Sequence, residues 1–171
     1  KKCPLKINPY KSLIFPRPIA WISSLSKSGI PNLAPYSYFN AIADKPPQIM
    51  FSSGQHFSLK GYKDSLTNIL STKEFVINFA TSSTKNKMNL SSIDAPFHVD
   101  EFKFSNVKKR KSKLIKPPSV AESPINLECK LLKTLKLKSK QNKDKNTLII
   151  GEVVGIYINN KRNGFWKDCW R

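Results

Sequence analysis

The chain has few of the residues on which hydrolytic and metal-dependent enzymes rely. It contains two histidines, His56 and His98, and no local spacing supports either as the base of a Ser-His-Asp or Cys-His set. Its three cysteines are Cys3, Cys129 and Cys169, and neither an HExxH motif nor paired CxxC motifs occur. We therefore predict neither a catalytic triad nor a metal site.

Long apolar runs and phosphate-binding glycine motifs are also missing. No apolar run approaches the ~20 residues that a membrane span needs, and residues 1–10 lack the apolar segment of a signal peptide. The six glycines form neither a Walker A loop nor a GxGxxG motif. The chain is therefore expected to be neither a P-loop nor a Rossmann protein, and to rely on a bound cofactor for any difficult chemistry. The odd number of cysteines without a recognised spacing predicts a reducing, cytoplasmic location.

Acidic residues are scarce, since 11 stand against 30 lysines and arginines and the formal net charge is +19. Such an excess is typical of nucleic-acid-binding proteins. However, lysine supplies 26 of the 30 positive charges, whereas base readout favours arginine. Residues 103–116 also offer only Phe104 for base stacking. We interpret the charge mainly as a solvated surface, with a basic β-barrel that binds single-stranded nucleic acid as the alternative.

Short alternating apolar runs and tight turns predict an antiparallel sheet or barrel, mainly β with a few helices. Gly151 and Gly155 lie inside the last predicted strand and indicate bulges or tight curvature. A hairpin turn is predicted at residues 26–29. The predicted strands cover residues 19–25, 32–39, 48–52, 75–80, 125–137 and 147–158.

A change of period predicts a helix over residues 63–72, because three apolar residues follow i, i+3 and i+4 spacing from position 66. Asp64 or Ser65 is expected to cap the N-terminus of this helix. A second, short helix is predicted at residues 85–90.

Two flanking segments complete the expected organisation. Residues 13–15 are apolar and are expected to pack against the domain. Residues 108–118 are basic and end in Pro-Pro, which predicts an exposed loop. The length suits a single domain over residues 1–171, and the missing initiator methionine indicates an incomplete N-terminus.

Polar and aromatic residues at the ends of these elements suit a flat, phosphate-bearing ligand such as a flavin. Residues 36–40 combine aromatic walls with hydroxyl and amide groups, and residues 52–54 (SSG) resemble an anion-binding nest. Lys63 and Ser65 open the predicted helix, whose N-terminal N–H groups favour a phosphate. Each piece taken alone also fits an ordinary core strand, turn or helix start, so only their order along the chain favours a ligand site.

The order of the motifs resembles the flavin reductase-like family, whose members bind FMN in a split β-barrel. The resemblance covers most of the chain. The matching segments are 16–23 (PRPIAWIS), 32–41 (NLAPYSYFNA), 46–52 (PPQIMFS), 63–65 (KDS), 74–78 (EFVIN), 99–102 (VDEF), 121–129 (AESPINLEC) and 150–156 (IGEVVGI).

This resemblance implies an antiparallel split β-barrel that forms a homodimer with FMN near the interface. Four residues would line the isoalloxazine and ribityl part of the flavin, namely Tyr36, Ser37, Phe39 and Asn40. Four others would hold the phosphate end, namely Ser52, Ser53, Lys63 and Ser65. Arg17 and Trp21 are weaker candidates that would instead support the first strand.

The implied activity is that of an NAD(P)H-dependent flavin reductase or an FMN electron carrier. A hydride from NADH or NADPH would reach flavin N5, and no catalytic acid or base would be required. A partner monooxygenase or another acceptor would receive the electrons. A non-catalytic flavin-binding split barrel stays open as an alternative, because the chain departs from the family after about residue 158 and we expect a truncated or altered C-terminal segment.

Overall fold

A computed structural model describes residues 9–54, 61–138 and 146–159, and the backbone of residues 165–167. The strands are β1 (Ala20–Leu25), β2 (Pro31–Tyr36), β3 (Phe39–Asp44), β4 (Pro47–Ser53), β5 (Glu74–Asn78), β6 (Lys109–Arg110), β7 (Ser119–Val120), β8 (Ile125–Lys136), β9 (Thr147–Ile158) and β10 (Phe165–Lys167). The helices are α1 (Tyr10–Leu13), α2 (Asp64–Thr72), α3 (Lys85–Leu90) and α4 (Glu101–Phe104).

The main sheet is antiparallel and curls back on itself. Seven strands lie in the order β2-β1-β5-β8-β9-β4-β3, and β10 pairs with β9. β2 and β3 stand at opposite ends of this order, yet only residues 37 and 38 separate them in the chain. Seven flat strands would place those edges ~29 Å apart, whereas the three Cα steps from Tyr36 to Phe39 reach at most ~11 Å. The sheet therefore closes toward a barrel.

The curvature predicted from the glycines of β9 is confirmed. The β8–β9 register shifts near Gly155 and again beside Gly151. A Cβ atom on Gly151 would lie 2.5 Å from Cζ of Phe75. Only a glycine lets β9 pass this ring at the observed distance. Gly151 is therefore required by the packing against Phe75 as well as by the curvature of β9.

The alternation of side chains along β1 divides the apolar residues between two cores. Ile22 points to an inner core, where the rings of Phe51 and Phe75 pack with their centroids 5.6 Å apart. Trp21 points the other way, to a smaller outer core that contains Phe102 of α4. The inner core fills the barrel, and the outer core fixes the segments that cover β1 and β2.

The strand predicted at residues 32–39 is wrong as a single strand. The chain bends at residues 37–38, and β3, which the sequence pattern did not predict, follows the bend. Every residue of β3 after Phe39 is exposed. The strand therefore lacks the apolar alternation by which a half-buried strand is recognised.

The prediction for residues 13–15 is wrong, and that for residues 108–118 is correct only in the exposure of its lysines. The side chains of residues 13–15 stay between 53% and 85% exposed instead of packing against the domain. Residues 108–118 are not a free loop, because the segment contains β6 and is anchored by Glu128. This buried carboxylate accepts the backbone N–H groups of Lys113 and Leu114 at 2.8 and 2.7 Å.

The helix predicted at residues 63–72 is confirmed as α2, but the capping prediction is wrong. Lys63 occupies the N-cap position without a side-chain capping bond, and Asp64 and Ser65 lie in the first turn. No helix among the described residues is long and apolar enough to span a membrane. The predicted C-terminal alteration lies outside the described residues, apart from residue 159 and the backbone of β10.

Candidate functional site

An open cleft of about 100 Å³ lies where β2 meets the N-terminus of α2. Strand alternation places three β2 side chains on the same face of the sheet, toward this cleft. The cleft therefore combines an aromatic ring, a lysine, several hydroxyls and three carboxyls. Its lining residues are Asn32, Ala34, Pro35, Tyr36, Lys63, Asp64, Ser65, Ser91, Ser92, Ile93, Asp94, Ala95 and Glu101.

Tyr36 presents a buried hydroxyl that has no hydrogen-bond partner among the described residues. The residue is 6% exposed, and its ring packs on Phe51 with the centroids 5.1 Å apart. Within the described residues the hydroxyl forms no acceptable hydrogen bond, although the Ser65 and Ser53 hydroxyls lie near it. Burial raises the pKa of Tyr36, and those two serines offset the rise only in part. The hydroxyl is therefore neutral and able to donate to a ligand.

The N-terminus of α2 brings positive charge and a hydroxyl to the same cleft. The nine-residue helix directs the positive end of its dipole there. The Nζ atom of Lys63 lies 5.7 Å from the centre of the Tyr36 ring. Ser65 is buried, and its hydroxyl donates to Oδ1 of Asn32 at 2.6 Å. Because the Ser65 proton is directed to Asn32, the helix N–H groups and Lys63 are what suit this end of the cleft to an anionic group such as a phosphate.

A buried carboxyl faces this anion-binding end. Glu101 is 3% exposed, and its Oε2 accepts the backbone N–H of Leu33 at 3.1 Å. The Asn32 side chain also lies within hydrogen-bonding reach of the carboxyl. Burial raises the pKa of Glu101 to about 7, and these hydrogen bonds oppose the rise. The charge of Glu101 therefore changes near neutral pH.

Trp21 supports the opposite wall of the cleft. Its indole is fully buried, and Nε1 donates to the Ser91 hydroxyl at 2.9 Å. Ser91 in turn donates to the carbonyl of Met88 at 2.7 Å. Trp21 thus anchors the start of the segment at residues 91–95 through Ser91.

Trp21→Phe is expected to lower the free energy of unfolding by about 1–2 kcal/mol, because it removes a buried hydrogen bond and part of a packed ring. Denaturant unfolding measures the loss, and amide hydrogen exchange should rise at residues 91–95. Ser91→Ala should act in the same direction. A double variant whose loss equals the sum of the two single losses would show that the Trp21–Ser91 bond does not link these residues.

The structure brings together half of the residues predicted for the ligand site. Tyr36, Lys63 and Ser65 line the cleft, and Ser53 lies beside the Tyr36 hydroxyl. Ser52 is the next residue along β4, and its N–H donates to the carbonyl of residue 38 at 2.9 Å. The structure thus brings together three of the four residues predicted for the phosphate end, namely Ser53, Lys63 and Ser65, and contact of Ser52 with a phosphate remains a prediction.

The other predicted residues lie outside this cleft. Ser37 borders a neighbouring groove together with Arg17, whose guanidinium donates to the Ile14 carbonyl at 2.6 Å. Phe39 packs against the inner core. Asn40 lies on exposed β3, and its Oδ1 accepts the N–H of the following residue at 2.9 Å. Contact of Ser37, Phe39 and Asn40 with a flavin remains a prediction.

Sequence reasoning missed the segment at residues 91–95 and five other lining residues of the cleft, namely Asn32, Ala34, Pro35, Asp64 and Glu101. Asn32 carried a usable signal, since it alternates with residues 34 and 36 on one strand face. The VDEF motif that contains Glu101 was recognised, but nothing in it indicates a buried carboxyl. The segment at residues 91–95 is joined to Trp21 by the hydrogen bond to Ser91, a long-range contact that no local pattern encodes.

Comparison with known proteins identifies the family. The family model described as "Flavin reductase like domain" matches residues 12–168, and the chain belongs to this family. The predicted family and the antiparallel split-barrel fold class are thereby confirmed. The family assignment supports a flavin-related oxidoreductase.

Solved structures agree with this assignment. Nitrilotriacetate monooxygenase component B from Bacillus cereus is similar with a TM-score of 0.82 and 31% identity over 94% of this chain and 84% of that one. The 2-nitrobenzoate 2-nitroreductase of Pseudomonas fluorescens has a TM-score of 0.77 and 27% identity over 94% and 77% of the two chains. Flavoredoxin of Desulfovibrio vulgaris, at 18% identity and a TM-score of 0.72 over 94% and 78%, supports the fold alone.

Two curated relatives carry the name uncharacterized protein. One from Aquifex aeolicus is 40% identical over 121 residues, which are 71% of this chain and 61% of the relative. Another from Halalkalibacterium halodurans is 32% identical over 161 residues, 88% of this chain and 77% of the relative. The chain thus spans less than two thirds of the length of the Aquifex relative.

Proposed function

We propose that the protein is an FMN-binding oxidoreductase that accepts a hydride from NADH or NADPH. The observation that carries this proposal is the buried Tyr36 hydroxyl, unpaired among the described residues, beside Lys63 and Ser65 in a flavin reductase-like fold. A buried hydroxyl without a partner costs ~1–3 kcal/mol. A ligand that supplies the missing acceptor removes that cost.

The residues present fit FMN. The phosphate end would be held by the N-terminus of α2 together with Lys63, Ser65, Ser52 and Ser53. The isoalloxazine and ribityl part would lie along the bend between β2 and β3, against Tyr36, Ser37, Phe39 and Asn40. Bound FMN supplies the redox chemistry, because its ring accepts a hydride at N5. The chain's own residues bind and orient the cofactor.

A homodimer is the assembly that we propose for this site. The cleft is open, and apolar side chains near the bend are exposed, with Phe15 at 85%, Tyr38 at 43% and Ile42 at 44%. β3 is an edge strand exposed along almost its whole length, and such strands favour pairing with another chain. A second copy would cover this surface and complete the flavin slot. Analytical ultracentrifugation tests the state directly.

The similarity to nitrilotriacetate monooxygenase component B supports a role in electron supply. That protein is named as one component of a monooxygenase. By analogy, this chain would pass reduced flavin or electrons to a partner monooxygenase or to another acceptor.

The visible spectrum of the purified protein tests the proposed function. We expect bound flavin, or flavin binding when FMN is added, together with NADH or NADPH oxidation in the presence of FMN. Binding of FMN without oxidation would favour a non-catalytic flavin-binding protein. A colourless protein that neither binds added FMN nor oxidises NAD(P)H would contradict the proposal.

Lys63→Ala is expected to weaken FMN binding by about 1–3 kcal/mol, a roughly 5- to 150-fold increase in Kd. The reason is the loss of a cation at the proposed phosphate end. Lys85→Ala is the matched control, since it removes the same charge from an exposed position at the start of α3. Quenching of flavin fluorescence measures the Kd for FMN in both variants. Equal Kd values for the two variants would remove Lys63 from the site.

A further inference from the structure

A buried carboxyl lies next to the end of the cleft that would hold a phosphate. We propose that Glu101 is a positioning residue of the flavin site, which orients the Ser65 hydroxyl through Asn32 and sets by its charge how strongly the cleft retains an anionic group. This inference rests on the proposed function. It concerns a residue to which the family resemblance gave no role.

A continuous chain of polar contacts links Glu101 to Ser65. The Asn32 side chain lies within hydrogen-bonding reach of the Glu101 carboxyl, and Oδ1 of Asn32 accepts the Ser65 hydroxyl at 2.6 Å. Asn68 and Ser24 extend the network, with Nδ2 of Asn68 donating to Ser24 at 3.2 Å. All of these side chains are buried. The direction of the Ser65 hydroxyl therefore depends on Asn32, and the orientation of Asn32 depends on Glu101.

The charges around Glu101 are mixed, so its own ionisation matters. The negative charge of Asp64 adds to burial in raising the pKa of Glu101. Asp100, beside Glu101 in the chain, is paired with Lys109 at 2.5 Å. The titratable groups that line the cleft with the carboxyl are Tyr36 from β2, Lys63 and Asp64 from α2, and Asp94 from the preceding segment, while the Asp100–Lys109 pair adjoins Glu101 in the chain.

The direction in which FMN affinity changes with pH follows from the coupling between FMN binding and the ionisation of Glu101. With its pKa at about 7, Glu101 is mostly neutral at about pH 6 and mostly ionised at about pH 8. An ionised Glu101 repels a phosphate in the same cleft, so FMN affinity relative to riboflavin should fall roughly three- to tenfold over this interval. Ionisation of a phosphate monoester near pH ~6 strengthens its attraction to Lys63 and acts in the opposite direction. A fall in the FMN-to-riboflavin affinity ratio with rising pH can therefore be assigned to a group of the protein rather than to the phosphate.

The experiment compares FMN and riboflavin binding by wild type and Glu101→Gln between about pH 6 and pH 8. Glutamine keeps an acceptor for the N–H of Leu33 but cannot ionise. We expect the FMN-to-riboflavin affinity ratio of the variant not to fall with pH, and at about pH 8 to exceed that of wild type. The same ratio in both proteins at every pH would overturn the inference. Failure of wild type to bind either flavin would instead overturn the proposed function on which it rests.

A second measurement needs only the wild-type protein, so it holds even if Glu101→Gln fails to fold. Because binding is reciprocal, a bound phosphate should raise the pKa of Glu101 further. Titration calorimetry in buffers of different ionisation enthalpy should then show net proton uptake on FMN binding at about pH 7.5, and none on riboflavin binding. Equal proton uptake for the two flavins, including no uptake for either, would overturn the inference.

Discussion

Replacing Gly151 by alanine is expected to lower the free energy of unfolding by about 3 kcal/mol, the upper part of the range for an over-packed core. Gly151 lies in the middle of the sheet, between β4 and β8. The added methyl would lie 2.5 Å from Cζ and 2.9 Å from Cε1 of Phe75. Phe75 is fully buried and packs edge-on against Phe51. The ring therefore cannot move aside without disturbing the inner core.

Denaturant unfolding with Gly61→Ala as the control tests this expectation. A Cβ atom at Gly61 meets nothing within 4 Å, so this control should change stability by less than ~0.5 kcal/mol. Phe75→Leu combined with Gly151→Ala should recover part of the loss, since the two sites share one contact. A Gly151→Ala protein as stable as wild type would show that the inner core tolerates the displaced ring.

The strands could be predicted from the sequence where one face is buried along the whole strand. β9 has the predicted bounds, because its side chains alternate between buried and partly buried positions over almost all of its twelve residues. β3 could not be predicted, since its exposed side chains give no period of two. Its conformation is set by pairing with β4 rather than by its own pattern.

The residues of the candidate site also fall into those that could be predicted from local sequence and those that could not. Lys63 and Ser65 could be predicted because they open a helix with a clear local pattern, and a helix N-terminus favours anions by itself. Glu101 could not, because its carboxyl reaches the cleft through a hydrogen bond to Leu33, 68 residues away in the sequence. The burial that raises the pKa of Glu101 likewise arises from tertiary packing and not from the local sequence. The cationic end of the cleft could thus be predicted from the sequence, and its buried carboxyl could not.

The basic segment at residues 108–118 shows why composition alone was misleading. Its lysines are solvent-exposed, but its backbone is fixed by buried or partly buried groups. Besides the two bonds to Glu128, the N–H of Lys116 donates to Glu74 at 2.9 Å. The guanidinium carbon of Arg110 lies 3.5 Å from the centre of the Tyr157 ring. Side chains from β5, β8 and β9 therefore determine the path of this segment, and its own charge does not.

Glu128→Ala is accordingly expected to lower the free energy of unfolding by about 3 kcal/mol. The buried carboxylate accepts two N–H groups, and a hydrogen bond to a charged group is worth ~1.5–3 kcal/mol. The variant also deprives Arg110 of a nearby negative charge. Denaturant unfolding measures the total loss, and hydrogen exchange should accelerate most at Lys113 and Leu114.

Glu74→Ala is the matched control, because Glu74 accepts a single N–H of the same segment from a partly exposed position. It should cost about 1 kcal/mol and affect exchange at Lys116 rather than at residues 113 and 114. Equal losses in the two variants would mean that burial of the Glu128 carboxylate is not what anchors the segment. The stacking of Arg110 on Tyr157 would then be the next restraint to remove, because it joins the segment to β9 rather than to β5 or β8.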